Sequence, residues 1–132
     1  MSFLLDTDIC SAFFKNHPLV VRRVMLHYGG LHVSAITVGE LMTWVKRTSK
    51  PPLRLQEVER FLISFDVIDV NREVAETFGQ IRAGLLDRGR PVGVLDLFNA
   101  AVALVQNLTV VTHNVADYQD VPGLSIVDWM AP

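Results

Sequence analysis

Five short apolar runs alternate with segments of helical period, and this alternation restricts the fold more than any other feature of the chain. The runs are Ser2 to Leu5, Leu31 to Ala35, Val67 to Val70, Leu108 to Thr112 and Leu124 to Val127. Each is brief and mostly apolar on both sides, the signature of a strand covered above and below rather than one facing water. The clearest helical segment spans about Glu73 to Arg88. Val74, Phe78, Ile81 and Leu85 lie on one stripe, Asn71 is placed to cap its start, and Gly89 with Pro91 marks its end. Helices are also predicted at Thr7 to Phe14, Pro18 to Tyr28, Val38 to Arg47, Leu55 to Phe65 and Leu97 to Gln106, the second opened by Pro in its first turn. Strand and helix in turn imply an α/β fold, a parallel sheet with helices on both faces.

At 132 residues the chain reads as one domain, 1–132. Half the residues are hydrophobic and 20% are charged, which excludes a disordered chain. Cys10 stands alone, so no internal disulfide forms, and His17, His27, His32 and His113 do not match zinc-ligand spacing. Met1 to Leu5 lacks a basic flank and is broken by Asp6, and no apolar run approaches the ~20 residues of a membrane span, so a soluble, cytoplasmic protein without a membrane partner is expected. The net charge of −2 does not announce a nucleic-acid binder. Lys46, Arg47, Lys50 and Arg54, around Pro51 and Pro52, read either as a phosphate contact or as a solvated helix end.

In an open parallel sheet, ligands bind beyond the carboxyl ends of the strands. Acidic residues gather there. Asp6 and Asp8 follow the first run, Glu40 follows the second, Asp96 opens the helix feeding the fourth, and Asn114 with Asp117 follows the fourth. Each has a plain structural reading. Asp6 or Asp8 would cap the first helix, Thr37 and Glu40 fit a capping box, Asp96 before Leu97 fits an N-cap, and Asn114 with Asp117 fits a polar turn. Convergence at one end of the sheet favours a functional reading, because clustered carboxylates repel and are tolerated where a cation fills them. Oxygen donors select Mg²⁺ or Mn²⁺ over zinc or copper, which points to divalent-metal chemistry on a phosphate ester.

Leu4-Leu5-Asp6-Thr7-Asp8, Ser34-Ala35-Ile36-Thr37-Val38-Gly39-Glu40-Leu41, Gly93-Val94-Leu95-Asp96-Leu97-Phe98-Asn99-Ala100-Ala101 and Val111-Thr112-His113-Asn114 together resemble the PIN-domain ribonucleases, and among them the VapC toxins. The resemblance covers nearly the whole chain, and its ordered set of motifs is more specific than any one of them. It implies a three-layer α/β/α domain with a mostly parallel sheet of about five strands. Asp6, Glu40 and Asp96 become the acidic triad, with Asn114 where many members carry a fourth acid. Asn114 is neutral and adds no charge, a loss Asp117 is placed to compensate. Asn99 stands where members usually have an apolar residue, and reads either as facing the same pocket or as a plain buried amide. Thr7 and Thr112, beside the acids, are candidates to hydrogen-bond a carboxylate.

On this reading Asp6 and Asp96 ligate Mg²⁺, with Mn²⁺ a possible substitute, Glu40 is a ligand or base, and Asn114 orients the attacking water. Hydrolysis then leaves a 5′-phosphate without using a 2′-hydroxyl. Single-stranded or looped RNA is the expected substrate. The resemblance narrows it to transfer RNA, an initiator transfer RNA cut in its anticodon loop, and implies a homodimer and a cognate VapB-type antitoxin. Trp44, on the flank of the Val38, Leu41, Val45 stripe, suits such an interface or covers the core edge. Two alternatives compete. A haloacid dehalogenase-like phosphatase would use Asp6 and Asp8 but needs a late lysine, and the only lysines are Lys15, Lys46 and Lys50. An inactive PIN-like domain would bind a partner without cutting RNA.

Overall fold

The computed structural model describes residues 2–132; Met1 lies outside them. In chain order the elements are β1 (Phe3–Leu5), α1 (Thr7–Phe14), α2 (Pro18–Leu26), β2 (Leu31–Ser34), α3 (Ala35–Arg47), α4 (Pro51–Leu62), β3 (Asp66–Ile68), α5 (Arg72–Asp87), α6 (Val94–Gln106), β4 (Thr109–Val111), α7 (Val115–Tyr118) and β5 (Ile126–Val127). The strands lie in the order β3-β2-β1-β4-β5, and every pairing is parallel. The five strands and their parallel pairing bear out the expected sheet.

Because successive strand residues point to opposite faces, β1, β4 and β5 feed two cores, whereas β3, at the sheet edge, leaves Asp66 and Val67 exposed and packs only Ile68, so the run from Val67 lacks the expected cover on both sides. Phe3, Leu5, Leu31, Val33 and Val111 join Ile9 and Cys10 of α1, Val20 and Val24 of α2, Leu41 and Val45 of α3, and Val58 and Phe61 of α4. On the other face Leu4 and Val110 join Val74 and Leu85 of α5, the Ala100 to Ala103 segment of α6, and Tyr118 of α7. This is the three-layer α/β/α arrangement. The small side chains of α6 let that helix lie close on the sheet, and its buried surface includes the polar Asn99.

The chain builds outward from β1 through β2 to β3, then crosses back to place β4 on the other side of β1. Strand order therefore reverses between β1 and β4, and the loops leaving these two strands diverge around a crevice, the usual ligand position of a doubly wound sheet.

Several boundaries differ from those read in the sequence, for local reasons. Both α3 and α6 begin three residues earlier, at Ala35 and Val94 instead of Val38 and Leu97. The segment predicted from Leu55 begins at Pro51, since proline loses no hydrogen bond in the first turn of a helix. Lys46 and Arg47 fall in the last turn of α3, where cations are favoured. The polar turn expected at Asn114 and Asp117 is instead the entry to α7. Among the described residues, no helix is long and apolar enough to cross a membrane.

Candidate active site

Asp6 leaves the carboxyl end of β1 as the N-cap of α1, its Oδ1 accepting from the Thr7 amide at 2.8 Å. The capping reading is correct, and it is only part of what Asp6 does. Asn99 Nδ2 donates to the same oxygen at 3.2 Å, while Oδ2 accepts from the Thr112 hydroxyl and the Tyr118 hydroxyl, each at 3.0 Å. The residue is 6% exposed, and these four donors are what make a buried carboxylate tolerable.

Glu40 is not part of a capping box. The N-cap of α3 is Ser34, whose Oγ accepts from the Thr37 amide at 3.2 Å. With the helix starting earlier, Glu40 lies beyond its first turn and reaches sideways. Its Oε1 accepts from Thr7 Oγ1 at 2.6 Å, and that hydroxyl lies 3.3 Å from Thr37 Oγ1. Thr7 thus joins the Asp6 cap to the Glu40 carboxylate. Ser34 is shared too, since its hydroxyl donates to Asn99 Oδ1.

Asp96 is likewise not an N-cap. Gly93 holds that position in α6 without a side-chain cap, and Asp96 sits inside the first turn. Its Oδ1 lies 3.4 Å from the Tyr118 hydroxyl, so one phenol stands against both Asp6 and Asp96. Burial, then the charges of Asp6 and Asp117, push the Asp96 carboxyl up to about 6, with Glu40 adding to the rise and the Tyr118 contact opposing it. Burial beside Asp6 and Asp96 also holds the Tyr118 phenol well above its ordinary value, so it remains a proton donor.

Asp8 lines the other side of the crevice. Its Oδ2 accepts from the His113 amide at 3.0 Å and lies 3.5 Å from Thr112 Oγ1, whereas its Oδ1 is buried without a partner. Burial, then Asp6, raise this carboxyl to about 6. His113 pairs with Asp128 through Nδ1 at 3.0 Å. The Asn114 amide donates from its backbone to Thr112 Oγ1 at 3.1 Å, and the Asn114 side chain is exposed at the mouth of the crevice without capping α7. Asp117 is exposed as well and acts on Asp96 through its charge.

The structure therefore joins Asp6, Asp96, Asn99, Thr112 and, through Thr7, Glu40 in one network. Asn114 stands at its rim. Tyr118 and Ser34 were missed by sequence reasoning. An aromatic near the end of a short helix reads as core, and Tyr118 is core as well. Only its place one helical turn after Asn114 hints that its hydroxyl returns to the site.

A divalent cation fits the donor set by its chemistry. Among the described residues, no three His, Cys, Asp or Glu side chains already surround one point as a cage. Mg²⁺ is commonly held by only one or two carboxylates together with water and substrate phosphates, a demand that the oxygens of Asp6 and Asp96 fit by type. Every donor is a hard oxygen.

Away from the acids, Phe13, Phe14, Met25, Tyr28, Phe61 and Phe65 line an open groove of about 590 Å³ between α1, α2 and α4. Trp44, 38% exposed, stacks on Phe14 at 5.6 Å beside it. Trp44 therefore covers the core edge and is also accessible.

The PIN domain family matches residues 3–124. The tRNA(fMet)-specific endonuclease VapC of Shigella flexneri is 38% identical over 130 residues, and that of Salmonella typhimurium 36%, the alignments covering 98% of both chains. Ribonuclease VapC2 of Haemophilus influenzae is 30% identical over 131 residues, covering 98% of this chain and 99% of the relative. A chain of the DNA-bound VapBC crystal structure from Salmonella typhimurium superposes with a TM-score of 0.92 at 35% identity, 98% of each chain covered. A chain of VapBC2 from Rickettsia felis, bound to a promoter DNA fragment, gives 0.91 at 26%, with 98% of this chain and 99% of that one covered. The chain belongs to the PIN-domain family and, within it, to the VapC ribonucleases.

Proposed function

We propose that this chain is a cytoplasmic, Mg²⁺-dependent endoribonuclease toxin that hydrolyses a phosphodiester of transfer RNA and is restrained by a VapB-type antitoxin. The observation that carries the reading is the meeting of Asp6 and Asp96 at the Tyr118 hydroxyl, with Glu40 tied to Asp6 through Thr7, at the reversal point of the sheet. Asp6 and Asp96 would hold Mg²⁺, or Mn²⁺ in its place, with Glu40 as the third acid. When bound, the cation supplies a nucleophilic water at neutral pH and offsets charge building on the phosphate and leaving oxygen. Glu40, held by Thr7, takes the proton of the attacking water or adds a ligand. The Asn114 amide, at the rim, orients that water. Attack by water leaves a 5′-phosphate.

The substrate follows from the Shigella and Salmonella relatives, whose names specify tRNA(fMet). An anticodon loop offers the unstacked backbone that this crevice needs. Sequencing 5′ ends after incubating initiator transfer RNA with the protein and Mg²⁺ tests this: a discrete, chelator-sensitive cut in the anticodon loop is expected, and intact RNA sinks it.

The VapBC neighbours support an antitoxin partner, and the aromatic groove beside Trp44 offers it an apolar seat. A homodimer is part of the same proposal. Trp44→Ala should weaken antitoxin binding by roughly tenfold, about 1.4 kcal/mol. A change within about threefold would remove Trp44 from the interface.

A further inference from the structure

The acceptor count at Asp6 sets a condition on cation entry. A carboxylate offers about four lone-pair sites, and at Asp6 four donors use them: the Thr7 amide and Asn99 Nδ2 on Oδ1, and the Thr112 and Tyr118 hydroxyls on Oδ2. A cation held by Asp6 would have to take one of these sites. Three of the four donors touch Asp6 without reaching Asp96. Of these four donors among the described residues, the Tyr118 hydroxyl is the one that stands against both acids, at 3.0 Å from Asp6 Oδ2 and 3.4 Å from Asp96 Oδ1.

We infer that Tyr118 is a positioning residue whose hydroxyl serves the Asp6–Asp96 pair in place of the cation, stabilising the metal-free site and lowering its affinity for Mg²⁺. This rests on the Mg²⁺ reading above. A hydrogen bond donated to a carboxylate reduces the negative charge it offers a metal, so competition for lone pairs and charge withdrawal act in the same direction. Tyr118 is fully buried, with its ring in the core of the α5–α6 face. Its hydroxyl is therefore held in place by packing and is always presented to the two acids. Tyr118→Phe removes that oxygen and keeps the ring.

Isothermal calorimetry of Mg²⁺ and Mn²⁺ binding to the full chain, paired with melts in chelator, reads the effect without any activity assay. Tyr118→Phe should lower the metal-free melting temperature and tighten the metal Kd by roughly threefold to tenfold, as expected when part of a charged hydrogen bond is removed. Asn71→Ala is the comparison, because the Asn71 side chain caps α5 by accepting from the Val74 amide and takes no part in the network around the acids. It should lower the melting temperature and leave the metal Kd unchanged. An unchanged or weaker Kd in Tyr118→Phe, with the wild type binding normally, overturns the inference alone; no binding of either cation to the wild type overturns the Mg²⁺ reading and the inference with it. A second measurement needs no change at Tyr118. In Tyr28→Phe the remaining tyrosine is Tyr118, and its ring resonances should move as Mg²⁺ is added. Motionless resonances at saturating Mg²⁺ overturn the inference.

Discussion

The amino ends of α3 and α6 each carry an acid that local sequence assigns to a cap, and they release it in different ways. In α3 the capping duty passes to Ser34, which serves the Thr37 amide and Asn99 together, so Glu40 is free to reach Thr7. In α6 the cap is Gly93, with no side chain to offer, and Asp96 stays in the first turn near the positive end of the helix. Asp96 is half-buried against Asp6 and Tyr118, and burial with the charge of Asp6 raises its carboxyl while the Tyr118 contact opposes the rise. The comparison separates an acid positioned by a neighbour's hydroxyl from one pressed against another acid.

Activity should not distinguish the two ends. Asp6→Asn, Asp96→Asn and Glu40→Gln should each reduce Mg²⁺-dependent cleavage on the order of 100-fold or more, since each removes charge aimed at the reacting phosphate. Stability should distinguish them. In chelator, Asp96→Asn relieves repulsion with Asp6 and should melt above the wild type. Glu40→Gln keeps an acceptor for Thr7 and should stay within about 0.5 kcal/mol. If Asp96→Asn melted lower in chelator, the clash assigned to Asp96 would be wrong.

The pH dependence of the metal-free protein tests the same clash. Burial and the charge of Asp6 push the Asp96 and Asp8 carboxyls up from the ordinary 3.8 to about 6 in the folded chain. Between these values the folded state holds protons that the unfolded state has released. The contribution of these two groups is therefore full below about pH 4, is lost as pH rises to about 6, and is flat above. Melting temperatures in chelator should fall between about pH 4 and pH 6 in the wild type. The fall should be shallower in Asp96→Asn and in Asp8→Asn. Equal slopes in all three proteins would mean that neither carboxyl is displaced.

Much of this was legible in the sequence, for reasons that also explain what was not. Two-sided apolar strands and the 3.6-residue stripe of α5 are repeated signals, so the layers, the parallel sheet and the gathering of acids follow from many residues at once. The starts of α3 and α6 depend on single residues. Thr37-x-x-Glu40 satisfies the capping-box pattern, yet Ser34 satisfies the cap from the strand end three residues earlier, and the pattern cannot show which serine or threonine wins. Gly93 gives no capping signal. Asn99 was read with two roles left open, and the structure combines them, since it is buried and its amide faces Asp6. Tyr118 reads as core because it is core.

Removing the cap that distinguishes α3 should have a moderate effect. Ser34→Ala leaves the Thr37 amide without its cap and Asn99 Oδ1 without a donor in a site 0% exposed, so a loss of at least the ~1 kcal/mol typical of an N-cap is expected in denaturant titrations. A loss below about 0.5 kcal/mol would mean that another group satisfies Asn99.

The smallest expected effect comes from giving α6 the cap that α3 has. Gly93 lies at φ −54°, ψ 139°, an extended conformation open to serine. Serine and glycine differ at an N-cap by only a few tenths of a kcal/mol, so Gly93→Ser should stabilise the metal-free protein by about that much. A Cβ at this position would stand 3.5 Å from Asp96 Oδ2, an ordinary contact that strains nothing. It also brings a serine hydroxyl within reach of that oxygen, where a donated hydrogen bond would draw the Asp96 carboxylate from Asp6 and Tyr118. Slightly higher stability with severalfold slower Mg²⁺-dependent cleavage is therefore the expected pair of results. Higher stability with undiminished cleavage would show that Asp96 holds its orientation without a bare backbone beside it, and the contrast between the two helix ends would then concern stability alone.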